Sequence, residues 1–281
     1  MWNIVTDSSC DDINFAHSSP DIRYDSVPFF IHTDSREFID DGSIHTEELI
    51  SVMKHSSVCK TACPSPAAWQ EHFSRPGNTL AFTISGELSG SYASACTARS
   101  MVHEKQPDKK IAVINTRAAG PVSILLIREA TRMIEAGLDF DAVVDNLYRM
   151  LPRVHIIYTL SSFDNLVKNG RMSRLTGFMA NTLGFWGVGI ATPEGKIRIK
   201  DKVRGARRVL NAILQDMKEK PRPPQEVVIS HCLNPEMSAA LTASIREIFG
   251  SIPVDSFPTG GLDSFYAEKN GIIVGYICKG Q

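Results

Sequence analysis

The sequence predicts an α/β protein in two domains: an N-terminal doubly wound, mainly parallel sheet and a C-terminal α+β domain, dividing the chain into residues 1–160 and 161–281 with the ligand site between them. Two observations carry this. Short apolar runs alternate with amphipathic stretches through the first half, as they do when parallel strands are joined by crossover helices. Past residue 160 the alternation gives way to glycine-broken segments and a hairpin signal.

In chain order, strands are expected at residues 2–6, 27–33, 80–84, 111–114 and 155–159. Helices are expected between them at 46–54, 66–73, 91–104, 121–135 and 140–150. Ser65-Pro66 offers an N-cap followed by proline at the first helical position, and Asp139 caps the helix at 140–150. Residues 161–183 read as short helices interrupted by Gly170 and Gly177. Strands at 187–192 and 196–202 form a hairpin around Pro193-Glu194-Gly195. A helix at 206–220 is stopped by Pro221-Arg222-Pro223-Pro224. Strand 226–231, helix 235–249, strand 253–257, a helix near 263–269 and strand 271–278 complete the chain.

Thirty basic against 31 acidic side chains give a net charge of −1, so no global field favours nucleic acid or an anionic membrane. The longest apolar runs fall far short of the ~20 residues needed to cross a bilayer, which argues against stable membrane insertion. The N-terminus reads as a buried strand without a signal peptide, and a cytoplasmic location is expected. Cys10, Cys59, Cys63, Cys96, Cys232 and Cys278 have no framework spacing and are expected as reduced thiols. Cys59 and Cys63 have no second Cys/His pair at a matching interval, so no metal or other cofactor is expected.

Four segments rich in Ser, Thr, Gly and Arg lie where a strand hands over to a loop or helix. They are Ile4-Val5-Thr6-Asp7-Ser8-Ser9, Lys60-Thr61-Ala62-Cys63-Pro64-Ser65-Pro66, Ile84-Ser85-Gly86-Glu87-Leu88-Ser89-Gly90-Ser91-Tyr92 and Asn169-Gly170-Arg171-Met172-Ser173. Small hydroxylic residues and glycine at strand ends leave backbone N–H groups free to meet an anion. Strand C-termini are also where open α/β sheets bind ligands. Thr61 with the Ser85–Ser91 loop could therefore hold a carboxylate, or could be an ordinary helix cap with spare hydroxyls. Asp7 either orients the Thr61 or Ser85 loop or closes an Asx-turn at the strand exit. None of the segments supplies an evident nucleophile and base. The pattern G-x-S-x-G is absent around Ser85 and Ser89, as are G-x-x-x-x-G-K-[ST] and H-E-x-x-H.

Those segments, with Lys202-Val203-Arg204-Gly205-Ala206-Arg207, resemble in order and content the DegV family of bacterial fatty-acid-binding proteins. The resemblance implies one long-chain fatty acid as ligand, no chemistry by the protein itself, and presentation of the carboxylate to a separate fatty acid kinase. Its head-group threonine maps onto Thr61. The second serine of the family's pair is Gly86 here, leaving Ser85, Ser89 or backbone N–H groups such as that of Gly90 for the second contact. Asp7 and Ser8 border the same site. The family's C-terminal histidine aligns with Ala267, which leaves Tyr266 or Lys269 as substitute donors, or a site with a different ligand. Glu268 is expected to face solvent. Arg171 with Lys202, Arg204 and Arg207, and Lys168, Arg174 and Arg208 beside them, is either the kinase-docking face or a solvated basic surface. The large side chains Phe163, Leu166, Met172, Leu175, Phe178, Met179, Leu183, Phe185 and Trp186 are expected to wall the acyl tunnel or simply to form core. Rival readings are a divergent member with an altered ligand or a regulatory role, and a hydrolase or transferase using Ser85 or Ser89.

Overall fold

A computed structural model describes residues 1–173 and 184–280. The chain opens with β1 (Trp2–Asp7) and β2 (Ile22–Val27), then a small excursion through β3 (Phe30–Thr33), β4 (Glu37–Ile39), α1 (Thr46–His55) and β5 (Cys59–Ala62). It returns through α2 (Pro66–Phe73), β6 (Asn78–Thr83), α3 (Ser91–His103) and β7 (Ile111–Asn115). Helices α4 (Pro121–Glu135) and α5 (Phe140–Met150) follow. The remainder comprises β8 (Val154–Leu160), α6 (Asp164–Lys168), β9 (Phe185–Ala191), β10 (Ile197–Arg204), α7 (Ala206–Lys218), β11 (Pro224–His231), α8 (Pro235–Phe249), β12 (Val254–Pro258), α9 (Gly261–Ala267) and β13 (Ile272–Cys278).

The first sheet runs β2-β1-β6-β7 with every pairing parallel. Its strands alternate faces: Ile4, Leu80 and Phe82 pack towards α4 and α5, while Val5 and Ala81 pack towards Trp69 and Phe73 of α2 and Ala95 and Ala98 of α3. Helices on both faces make it doubly wound. Ser65 caps α2 through the Ala68 N–H, and Asp139 caps α5 through the Ala142 N–H, as their spacing predicts. The strand expected at 27–33 is instead two, because Pro28 interrupts it; β3 turns away and pairs antiparallel with β4 and β5 in a separate sheet.

The second sheet runs β10-β9-β8-β13-β11-β12, antiparallel except for β11 with β12. One face packs on α7 and α8 through Val188, Val227 and Tyr276; the other carries Ile156, Tyr158 and Ile273 into the core shared with α4. Sheet membership therefore places β8 with the C-terminal half, whereas a boundary at 160 would leave it with the first sheet. Helix α4 is the common wall, and Gly275 of β13 permits its approach: a Cβ there would stand 3.0 Å from Pro121 C and Val122 N. Arg128 and Arg132 of α4 complete the contact by pairing at 2.9 and 2.7 Å with the buried Glu226 of β11.

Candidate functional site

The two sheets, β5 and α9 line a pocket that is open to solvent at its mouth. Its walls are mainly apolar: Phe29, Ile84 and Leu88 from the first half, Ile156, Tyr158 and Leu160 from β8, Ala191 and Ile197 from the hairpin, Leu262 and Ala267 from α9, and Ile273 from β13. Of the large side chains of 163–186, Leu166 lines the pocket; Phe163 and Met172 are core, and Phe185 and Trp186 are half-buried elsewhere. Arg174, Leu175, Gly177, Phe178, Met179 and Leu183 lie outside the described residues.

A polar cluster interrupts this lining. Thr61, at the β5 edge of the small sheet, and Tyr266, in the last turn of α9, are hydrogen-bonded through their hydroxyls at 2.9 Å. Burial pushes the Tyr266 phenol up, while the Thr61 bond and the Arg171 charge draw it back. Arg171 also lines the pocket, its Nε donating to Leu88 O at 2.9 Å and its Nη1 to Asn169 O at 2.5 Å. It stands at the pocket wall, apart from its expected grouping with the exposed Lys202, Arg204 and Arg207. Ser89 contributes from the strand-end loop, and its Oγ accepts the Ser91 N–H at 3.2 Å in a local turn at the entry to α3.

The other anticipated residues support this cluster from behind. Asp7 performs both of the roles open to it: Oδ1 accepts from Ser9 N at 3.3 Å and Ser9 Oγ at 2.5 Å, and Oδ2 from Ile84 N at 3.0 Å and Ser91 Oγ at 2.6 Å. Burial raises its pKa and these bonds oppose the rise. It thus pins the Ser85–Ser91 loop without lining the pocket. Ser8 Oγ accepts the Phe29 N–H at 2.9 Å and fixes that wall residue. Ser85 is fully buried; its Oγ donates to Gly195 O at 2.8 Å, joining the loop to the hairpin turn. Gly195 has φ +97°, and a Cβ on it would stand 2.2 Å from Ser85 Oγ. Gly86 N donates to Asn115 Oδ1 at 3.2 Å, outside the pocket lining, as Gly90 also is.

Lys269 is exposed and lies outside the lining, so Tyr266 is the member of that pair in the pocket. Glu268 corrects an expectation: it is half-buried and accepts from Ser162 Oγ at 2.9 Å, because α9 ends there and the chain folds back into β13. Lys202, Arg204 and Arg207 are exposed at the outer edge of the second sheet, with Lys202 Nζ 4.8 Å and the Arg204 guanidinium 5.5 Å from the Phe185 ring centre. Among the described residues, no group of three His, Cys, Asp or Glu side chains is placed to hold a metal ion, and no helix is long and apolar enough to cross a membrane.

The family model described as "Uncharacterised protein, DegV family" matches residues 1–278. The chain belongs to the DegV family. A DegV domain-containing protein of Streptococcus pyogenes serotype M1 is 33% identical over 276 residues, covering 98% of this chain and 99% of that protein. Among solved structures, the Streptococcus pneumoniae fatty acid kinase (Fak) B3 protein loaded with linoleic acid superposes with a TM-score of 0.95 at 32% identity, covering 99% of both chains. A DegV family protein of Eubacterium eligens loaded with heptadecanoic acid gives a TM-score of 0.93 at 28% identity, over 99% of this chain and 100% of that one.

Within this DegV chain, the wall formed by Arg117, Ala118 and Ala119 was not anticipated from the sequence. A signal for it existed: these residues follow the C-terminal end of β7 and precede Pro121 at the start of α4, the same arrangement that marks the other strand-end loops. Asp263, also on the wall, had none. An acid in a short polar helix segment reads as a solvated charge until the helix is seen to be buried.

Proposed function

We propose that this DegV-family chain binds one long-chain fatty acid, its carboxylate at Thr61, Tyr266, Ser89 and Arg171 and its acyl chain along the apolar remainder of the pocket. The observation that carries this reading is the placement of that polar cluster on an otherwise apolar wall. Each buried methylene is worth ~0.8 kcal/mol, so a chain of about sixteen carbons gains roughly 10 kcal/mol before ordering costs. The bound fatty acids of the pneumococcal and Eubacterium eligens relatives support the same ligand class. Tyr266 takes the position of a head-group donor that Ala267 cannot fill.

In this reading the protein is a carrier that presents the carboxylate to a separate kinase, with Lys202, Arg204 and Arg207 as the docking face. Carriage rather than catalysis is supported by the serines. Ser85 donates to a backbone carbonyl and Ser89 accepts a backbone N–H, and among the described residues neither is hydrogen-bonded to a base. The experiment is mass spectrometry of the purified protein, native and after lipid extraction. A stoichiometric fatty acid is the expected result; a protein that is empty and fails to take up added palmitate overturns the reading.

A further inference from the structure

The pocket wall carries one buried acid. Asp263 lies in the first turn of α9, 5% exposed, among the apolar neighbours Leu262, Ala119 and Ile273. Its Oδ2 is fully enclosed and, among the described residues, meets no N–H or hydroxyl within hydrogen-bond geometry; Asp11 Oδ2 is likewise enclosed, with the Ser230 hydroxyl beside Asp11 helping to hold its charge. Both oxygens converge on Gly120: a Cβ there would stand 2.3 Å from Asp263 Oδ2 and 2.8 Å from Asp11 Oδ2. Two carboxyl groups this close in a buried site cannot both be ionised, so they share a proton. Asp11 Oδ1 accepts the Gly260 N–H at 2.7 Å, which favours the charge on Asp11 and leaves the proton with Asp263. Burial first, and the Asp11 charge second, hold Asp263 well above the usual carboxylate range. Asp263 is then a neutral acid whose O–H donates to Asp11. Its carbonyl oxygen, Oδ1, is not enclosed as Oδ2 is, and Asp263 is a residue of the pocket wall.

We infer that Asp263 Oδ1 accepts a hydrogen bond from a hydroxyl near the carboxyl end of the acyl chain, so that the pocket selects 3-hydroxy fatty acids over unsubstituted ones. This rests on the fatty-acid reading above. The position follows from the helix: Asp263 and Tyr266 are three residues apart on α9, so their Cβ atoms are ~5–6 Å apart on one face. A carboxylate held at Tyr266 therefore brings its nearest carbons past Asp263. A methylene there leaves Oδ1 without a donor, whereas a hydroxyl satisfies it.

The test is to incubate delipidated full-length protein with an equimolar mixture of palmitic and 3-hydroxypalmitic acids and to measure the bound ratio by mass spectrometry. Wild-type protein should enrich the hydroxy acid over the mixture, and Asp263→Leu should lower the bound ratio about fivefold, the worth of one neutral hydrogen bond. Asp263→Asn should keep the preference, since its amide N–H can meet Asp11 and its oxygen still accepts. An unchanged ratio in Asp263→Leu overturns the inference while leaving fatty-acid binding intact. If that variant does not fold, a wild-type protein showing no enrichment overturns it equally. Uptake of neither acid overturns the fatty-acid reading itself.

Discussion

Thr61 and Tyr266 lie 205 residues apart in sequence, yet their hydroxyls meet at 2.9 Å at the pocket wall. One belongs to a strand of the small sheet and the other to the helix that leads into β13. Since a carboxylate accepts from both hydroxyls at once, the two substitutions should not be additive. Thr61→Val and Tyr266→Phe should each weaken fatty-acid binding roughly tenfold, the loss of a hydrogen bond to a charged group. The double variant should lose less than the product of the two. Titration calorimetry on all four proteins gives the coupling, and strict additivity would show that the hydroxyls do not act on one head group.

Glu226 should be a principal brace between α4 and the second sheet. Its carboxylate is 4% exposed and paired with Arg128 and Arg132. Glu226→Ala removes the carboxylate that Arg128 and Arg132 share, each keeping a second partner in Asp255 and Glu129, and should cost about 1–2 kcal/mol. Denaturant unfolding measures this; a change within experimental error would mean that Asp255, 2.7 Å from Arg128, takes over the pairing.

Gly120 has φ +52° and faces the Asp11 and Asp263 carboxyl groups. Gly120→Ala adds both a strained conformation and a collision with Asp263 Oδ2, and should destabilise by about 2 kcal/mol or more. Adding Asp263→Ala removes the collision and should recover part of the loss in melting temperature. No recovery would locate the whole cost in the backbone.

Asp40 sets a pH dependence. Burial raises its pKa to about 6, against the N–H groups of Leu262 and Gly261 and the Ser8 hydroxyl, which favour its charge. With a folded value above the unfolded one, the native state holds more protons between about pH 4 and 6. Asp40's contribution is thus fully present below the unfolded pKa and is lost as pH rises through about 6. The stability of wild type relative to Asp40→Asn should fall by about 3 kcal/mol across that interval. A flat difference would refute the buried, raised carboxyl.

Local rules carried much of the architecture. Strand–helix alternation gave the parallel first sheet, Pro235 opened α8, and Pro193-Glu194-Gly195 turned the β9–β10 hairpin, because propensity, capping and apolar period act within a few residues. The strand-end segments likewise pointed to Thr61 and Ser89 through loop chemistry, and the family alignment pointed to Tyr266. Pairing partners were a different matter. An apolar strand such as β8 satisfies either sheet by its sequence, and only its hydrogen bonds to β9 and β13 assign it to the second.

The sequence by itself determined most of the helices and the longer strands, the family, and the chemical character of the loops at the strand ends, but not β2 or the short strands of the small sheet. Tertiary structure decided what each polar group faces. It turned Ser85 onto Gly195, brought Arg171 to the pocket wall, set Glu268 against Ser162 and buried Asp263 against Asp11. Residue type states how many donors and acceptors a side chain carries. Which of them are left for a ligand depends on contacts between elements distant in sequence, formed when the two sheets close on α4 and α9.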